Sequence, residues 1–448
     1  MEKDLTSGSV FKNMVSFSLL YLLSYFLQTL YGLADLFIIG RFNGVDSITA
    51  VSVGGQVMHM LTVMIVGLAM GSTVTIGRAV GAKRSGQAAL AVGNTITLFM
   101  GVSVAATGIL LVLVKSVVAV MGTPAEAVSE TVVYLTICFV GIPFITAYNI
   151  ISAVFRGLGD SKSPMYFIAV ACVVNIALDY WLIGGFHLGA AGAALGTVLS
   201  QTISVIAAFL MIRKKRTQIT LKKDVFLPHR KIMGAILKIG IPVAVQDGFI
   251  QVAFIVITVI ANHRGLNDAA AVGIVEKFIG VVFLVPSTML STVSALSAQN
   301  IGAGQHDRAK ASLCYAVFLA AGFGLVVSAA MQFAGSAVVG MFTENAEVIL
   351  LGDEYLRSYI WDCMIAGVHF SFSGYFCAYG LSGISFLHNA LSIVCVRVPG
   401  AFLASRYFPD TLFPMGLAAP FGSLLSVIVC LAAFVWMKKY KRYVVKEV

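Results

Sequence analysis

Two aspartates stand inside stretches that otherwise read as lipid-embedded helix: Asp35 within 27–39, and Asp179 in the fifth such stretch. A carboxylate at bilayer depth costs at least ~2.5 kcal/mol on insertion scales, so each is by default a functional group. Asn175 lies one helical turn before Asp179 on the same face, and Thr197 lies early in the sixth stretch. Two carboxylates in a low-dielectric cavity titrate as a pair. They can hold a proton or two, or share a Na+ with the carbonyl of Asn175 and the hydroxyl of Thr197, because oxygen ligands suit a hard cation. The competing reading is a structural ion pair. In the first six stretches only Arg41, at the end of stretch one, offers a base near that depth.

The elements that must position these groups are apolar helices. The chain has 448 residues, 59% hydrophobic and 11% charged. Its mean hydropathy is +0.93. Soluble proteins carry about 25% charged residues, so composition indicates an all-α polytopic membrane protein. No signal-peptide cleavage pattern follows the mixed-charge start. At about 20 apolar residues per crossing, twelve stretches qualify: 16–39, 48–77, 90–113, 128–153, 164–184, 190–212, 236–261, 269–290, 312–333, 354–377, 384–404 and 413–437. Asp35 is six residues from Arg41, Asp179 eight from His187, and Thr197 seven from Ala190. At 1.5 Å per residue all three sit ~9–12 Å inside the same boundary.

With both termini placed on one side, 22 of the 30 lysines and arginines fall on that side. Five fall opposite (Arg41, Lys115, Arg264, Arg357 and Arg406) and three within spans (Lys238, Lys277 and Arg397). The asymmetry predicts cytoplasmic termini and accounts for the net charge of +10 without a nucleic-acid partner. The basic segment 213–231 reads as an orientation signal and cytoplasmic linker. It divides an N-terminal lobe, 1–212, from a C-terminal lobe, 232–448, with six spans each.

The halves align at a shift of 221 residues. Ala50-Val51 matches Ala271-Val272, Gly81-Ala82 matches Gly302-Ala303, Tyr134-Leu135 matches Tyr355-Leu356, and Gly159 matches Gly380. Six spans per half make the repeat parallel, with a pseudo-twofold axis along the membrane normal. Such halves commonly rock about a central site to give alternating access. The polar set is one-sided. Asp35, Asn175, Asp179 and Thr197 correspond to Val256, Val396, Gly400 and Ala418.

The runs Ala34-Asp35-Leu36-Phe37-Ile38-Ile39-Gly40-Arg41 and Phe155-Arg156-Gly157-Leu158-Gly159-Asp160 resemble the first half of multidrug and toxic compound extrusion (MATE) transporters. Gln299-Asn300-Ile301-Gly302-Ala303-Gly304 before Arg308 resembles their second-half signature. The resemblance covers essentially the whole chain. It implies a bacterial cytoplasmic-membrane antiporter, monomeric, exporting cationic or amphipathic organic compounds in exchange for Na+ or H+, with no cofactor and no ATP. In the DinF-like branch, an acid of helix one joins an Asn, an Asp and a Thr from helices five and six. The matching positions are Asp35, Asn175, Asp179 and Thr197. Tyr134 and Asn149 match positions lining the same lobe. Members commonly carry a proline in helix one; here none precedes Pro124.

The C-terminal lobe holds Asp247, Glu276, Lys277, Asp362 and Arg397. Glu276 and Asp362, read in the outer third of spans eight and ten, could line a path for cationic substrates. Neutralisation by Lys277 and Arg397 is the equal alternative. NorM-like members use acids in this lobe for the ion, but their seventh-helix glutamate falls near Ile250 or Gln251 here. Lipid-linked oligosaccharide flippases of the same superfamily are the second functional class. They need a basic cavity, which the N-terminal spans lack. Enzyme chemistry has no support, as no nucleophile–base pair, metal-ligand spacing or nucleotide loop is present. The seven cysteines read as small buried residues.

Overall fold

The computed structural model describes residues 4–214 and 222–439. Lys3, the core of the basic linker (215–221) and the terminal Lys441, Arg442 and Lys446 lie outside the described residues. Among the described residues every regular element is helical. The α-helices are α1 (Val10–Phe42), α2 (Val45–Gly81), α3 (Ser85–Val120), α4 (Val128–Gly157), α5 (Lys162–Asp179), α6 (Gly189–Lys214), α7 (Arg230–Asn262), α8 (Leu266–Val282), α9 (Leu284–Gly302), α10 (His306–Gly340), α11 (Ala346–Tyr359), α12 (Trp361–Ala378), α13 (Ser382–Ser392), α14 (Val398–Tyr407) and α15 (Phe413–Lys439). A π-helical stretch, Tyr180–Gly185, extends α5, and another, Ile393–Arg397, joins α13 to α14.

These form twelve membrane spans. Eleven stretches are long and apolar enough to cross a bilayer, α8–α9 counting as one and α13–α14 as another. The remaining span, α11–α12, is broken at Ile360. Glu347 and Asp353 lie in the first two turns of α11, which the apolar reading left out. The spans are therefore longer than hydropathy predicts. Asp362 lies 16 residues into its span, counted from Ala346, ~24 Å from the start. The break between α8 and α9 has a local cause. Pro286 has no N–H to give Val282, so the helix loosens there. Helix α1 runs unbroken for 33 residues, without a proline.

The chain forms two compact units, Leu19–Leu237 in one and Leu5–Ser18 with Lys238 onward in the other. Within each, the repeat recurs atom by atom. Thr73 donates to the Ala153 carbonyl at 3.0 Å, and its counterpart Ser294 donates to Gly374 at 3.1 Å. Thr107 donates to Phe139 at 3.1 Å, and Ser328 to Ile360 at 2.9 Å. Helices α4 and α12 both end on left-handed glycines, Gly159 (φ 83°) and Gly380 (φ 72°). Such residues close the last turn by returning N–H groups to orphan carbonyls. Ala50-Val51 and Ala271-Val272 each sit at 3% exposure or less in the core of their own unit. Small residues set the close approach of helices, as in other membrane bundles. Tyr134 of α4 packs so tightly on Gly54 of α2 that a Cβ there has no room.

Two polar clamps hold the ends of the bundles. Asn94 and Thr97 of α3 bind the backbone of 225–229, so the described part of the linker is docked. In the second unit the Gln299-Asn300…Arg308 signature grips the N-terminal segment. Gln299 Oε1 accepts from the Leu5 N–H at 3.2 Å, and Arg308 donates to the carbonyls of Gly8 (2.9 Å) and Ser7 (3.2 Å).

Candidate ion and substrate sites

In the first unit, Asp35 of α1, Asn175 and Asp179 of α5, and Thr197 of α6 come together. Asp35 sits two turns before the end of α1. Asp179 is the last residue of regular α5, where the backbone widens into the π-helical stretch. Such widened turns recur at functional sites because they redirect side chains and free backbone carbonyls. Thr197 Oγ1 donates to Asp35 Oδ2 at 3.2 Å. Gly196, the residue before Thr197, makes the meeting possible. Asp179 Oδ1 fills the space a Cβ would take, and Asn175 Nδ2 lies 3.7 Å from that point. The side chains of Asp179 and Asn175 also reach Asp35.

The cluster is buried and under-bonded. Asp35 is 5% exposed, and Asn175 and Asp179 are fully buried. Asp35 Oδ1, both Asp179 oxygens and both amide atoms of Asn175 complete no hydrogen bond. The groups acting on the two carboxylates are each other, Asn175 and Thr197, with no lysine or arginine among them. Buried polar atoms are almost always satisfied, and a buried charge needs a partner. The donor set of carboxylate, carboxamide and hydroxyl oxygens suits a proton or a hard monovalent cation.

Tyr134 and Asn149 have different immediate neighbours. Tyr134 packs on Gly54 and bears on Asp35. Asn149 is 15 residues further along α4, ~22 Å at helical rise. It lines a small cavity with Tyr21, Tyr25, Gln28, Tyr148 and Arg156. Sequence reasoning missed what connects the two regions. Tyr31 lies one turn before Asp35 and interacts with Gln28, Gln201, Tyr148 and Asp35 itself. A polar Tyr and Gln in α1, spaced at i and i+3 below the aspartate, was the available signal. Gly196 carried none.

The second unit buries a different set. Glu276 accepts from Thr258 at 3.0 Å. Asp362 is fully buried, and its Oδ2 lies 3.9 Å from Arg397. Arg397 donates to the Tyr359 hydroxyl and stands over the Phe254 ring at 5.1 Å. It also acts on Glu276. Lys277 is exposed, so of the two expected bases only Arg397 joins the acids. Asp247 is apart from them, interacting with Cys377 at the other end of α12. Five cysteines are buried, while Cys314 and Cys395 are exposed on their spans. Among the described residues no His, Cys, Asp and Glu group has metal-site geometry.

Twelve spans in two repeated six-helix units, each enclosing buried charge, define a membrane transporter. The sequence pattern of the MatE family matches residues 21–181 and again 242–403, one match per half. The chain therefore belongs to the MatE family. It is 29% identical over 442 residues to the probable multidrug resistance protein YoeA of Bacillus subtilis, covering 96% of this chain and 95% of that one. It is 26% identical over 402 residues to the multidrug export protein MepA of Staphylococcus aureus, covering 89% and 88%. The fold matches an outward-facing multidrug resistance MATE family transporter of the MOP superfamily at TM-score 0.90, 23% identity and 98% coverage of both chains. It also matches a MOP superfamily transporter from Pyrococcus furiosus with a binding pocket of reverse polarity, at TM-score 0.89, 22% identity and coverage of 99% and 98%.

Proposed function

We propose that this protein is a secondary multidrug efflux antiporter that exports cationic or amphipathic organic compounds in exchange for Na+ or H+. Its place is the bacterial plasma membrane, as a monomer with both termini cytoplasmic. The observation that carries the reading is the buried group Asp35, Asn175, Asp179 and Thr197, rich in unsatisfied oxygens and free of basic partners. A cation entering there satisfies those oxygens. Its arrival and departure change the charge at the meeting of α1, α5 and α6, which biases the helices between two arrangements. The lipid-linked oligosaccharide alternative requires uncompensated basic groups. The buried Arg397 is instead set against Asp362 and Glu276.

The test is export of ethidium from proteoliposomes under an imposed cation gradient. Asp35→Asn is expected to abolish gradient-driven transport, with expression and thermal midpoint close to wild type. Undiminished transport by that variant would remove the coupling role of the cluster.

A further inference from the structure

The Arg397 guanidinium is surrounded by groups that have the chemistry of an organic-cation cage. Two carboxylates, Glu276 and Asp362, face it, and Phe254 and Tyr359 present their rings at 5.1 and 5.5 Å. Carboxylates and aromatic faces together are how proteins hold guanidinium and quaternary ammonium groups. Two features make the guanidinium a poor permanent tenant. Its approach to Asp362, at 3.9 Å, is too long for a hydrogen bond. Arg397 Nε and Glu276 Oε1 complete no hydrogen bond, and Asp362 is approached by the Ser423 hydroxyl rather than bonded by the arginine. The settled form of an arginine–carboxylate pair is a bidentate fork, and this is not one. Two formal negative charges also face one positive charge.

The backbone at this point can move the side chain. Arg397 ends the π-helical stretch Ile393–Arg397, and Pro399 follows two residues later, at the start of α14. A π-turn followed by a proline removes regular i to i−4 bonds from both sides of the residue. Gly422 of α15 lies beside Arg397 Cβ, so no bulky side chain blocks it there.

We propose that Arg397 is a tethered competitor: its guanidinium fills a cage of Glu276, Asp362, Tyr359 and Phe254 that a delocalised monovalent organic cation enters when the arginine withdraws. Entry exchanges one monovalent cation for another, so the buried charge balance is kept while the substrate is held. The tether limits affinity and helps release. This rests on the reading of the chain as a cation exporter and adds how its second unit handles the cation.

The test is equilibrium binding of tetraphenylphosphonium and of ethidium to the purified full-length protein in detergent. Arg397→Gln is expected to bind each probe at least about fivefold more tightly than wild type, since the competitor is gone. Glu276→Gln and Asp362→Asn are expected to bind at least about tenfold more weakly. Because Arg397→Gln leaves two acids facing each other and can fail to fold, Tyr359→Phe provides the second arm. It keeps every charge, removes one hydrogen bond of the tether, and is expected to tighten binding about threefold. Unchanged or weaker binding by a folded Arg397→Gln, or by Tyr359→Phe where Arg397→Gln does not fold, overturns the proposal. If wild type and all variants bind neither probe, the cation-exporter reading falls with it. If wild type binds and transports but the arginine and tyrosine variants do not tighten, only the tethered competitor is lost.

Discussion

At the scale of single residues, Gly196 is as telling as either aspartate. Its missing Cβ is the space that Asp179 Oδ1 occupies. Gly196→Ala leaves every charge and donor of the site in place but forces Asp179 away from Asp35. Transport driven by the ion gradient is expected to fall at least about tenfold, the effect of losing ~1.4 kcal/mol of binding at the site. Full coupled transport by Gly196→Ala, measured beside Asp179→Asn, would show that the two acids need not meet. The acids themselves were legible in the sequence because charge in an apolar run is rare. That they share one level, as their contact requires, followed from helical rise alone. Gly196 was not legible, since a glycine in a membrane helix ordinarily signals only close packing. Nor was the division between Tyr134 and Asn149. Both are buried on one helix, but Tyr134 packs on Gly54 while Asn149, 15 residues on, lines a small cavity.

At the scale of elements, charged residues outside the sites act as fasteners. Arg264 follows the end of α7, and its side chain is only 5% exposed. It pairs with Asp268 at 3.3 Å and donates to the carbonyls of Ser405, Phe408, Pro409 and Thr411 at 2.8–3.2 Å. One guanidinium thus closes the end of α14 and the turn into α15. Arg264→Met strands carbonyl acceptors that cost ~1–3 kcal/mol when left unsatisfied. The thermal midpoint of the purified protein is expected to drop by several degrees, while probe affinity stays near wild type. Arg264→Lys should recover less than half of the loss, because an ammonium cannot present a planar fork to several carbonyls. Equal stability of Arg264→Lys and wild type would reduce the fastener to a point charge. Sequence reading saw Arg264 only as one of five charges on the poorer side of the charge count. The existence of each span was readable from hydropathy. The breaks were not, because Pro286 sits in an apolar run and the π-turns at Tyr180–Gly185 and Ile393–Arg397 leave no composition signal.

At the scale of the whole molecule, the repeat was readable because it runs through turns as well as spans. The same hydrogen bond recurs at Thr73 (to Ala153) and Ser294 (to Gly374), and at Thr107 (to Phe139) and Ser328 (to Ile360), which shows that the register of 221 is a structural one. The one-sidedness of this polar set was readable for the same reason: at that register Asp35 and Asp179 correspond to Val256 and Gly400. Orientation is a separate matter, fixed by charge and not by packing. With 22 of 30 basic residues on one side, reversing the chain would carry most of them across the membrane, against the positive-inside bias. Glu126, exposed between α3 and α4, should then face outward, and Asp307, exposed at the start of α10, inward. In a background with the seven native cysteines replaced, Glu126→Cys is expected to react with a membrane-impermeant maleimide in intact cells. Asp307→Cys should react only after the cells are opened. The reverse pattern would overturn the orientation. It would also place Asp35 and Asp179, ~9–12 Å from the Glu126 side by helical rise, nearer the cytoplasm than the outside. An inwardly directed ion gradient would then have to reach the site from its far end. The labelling experiment therefore decides the side from which the coupling ion meets the site.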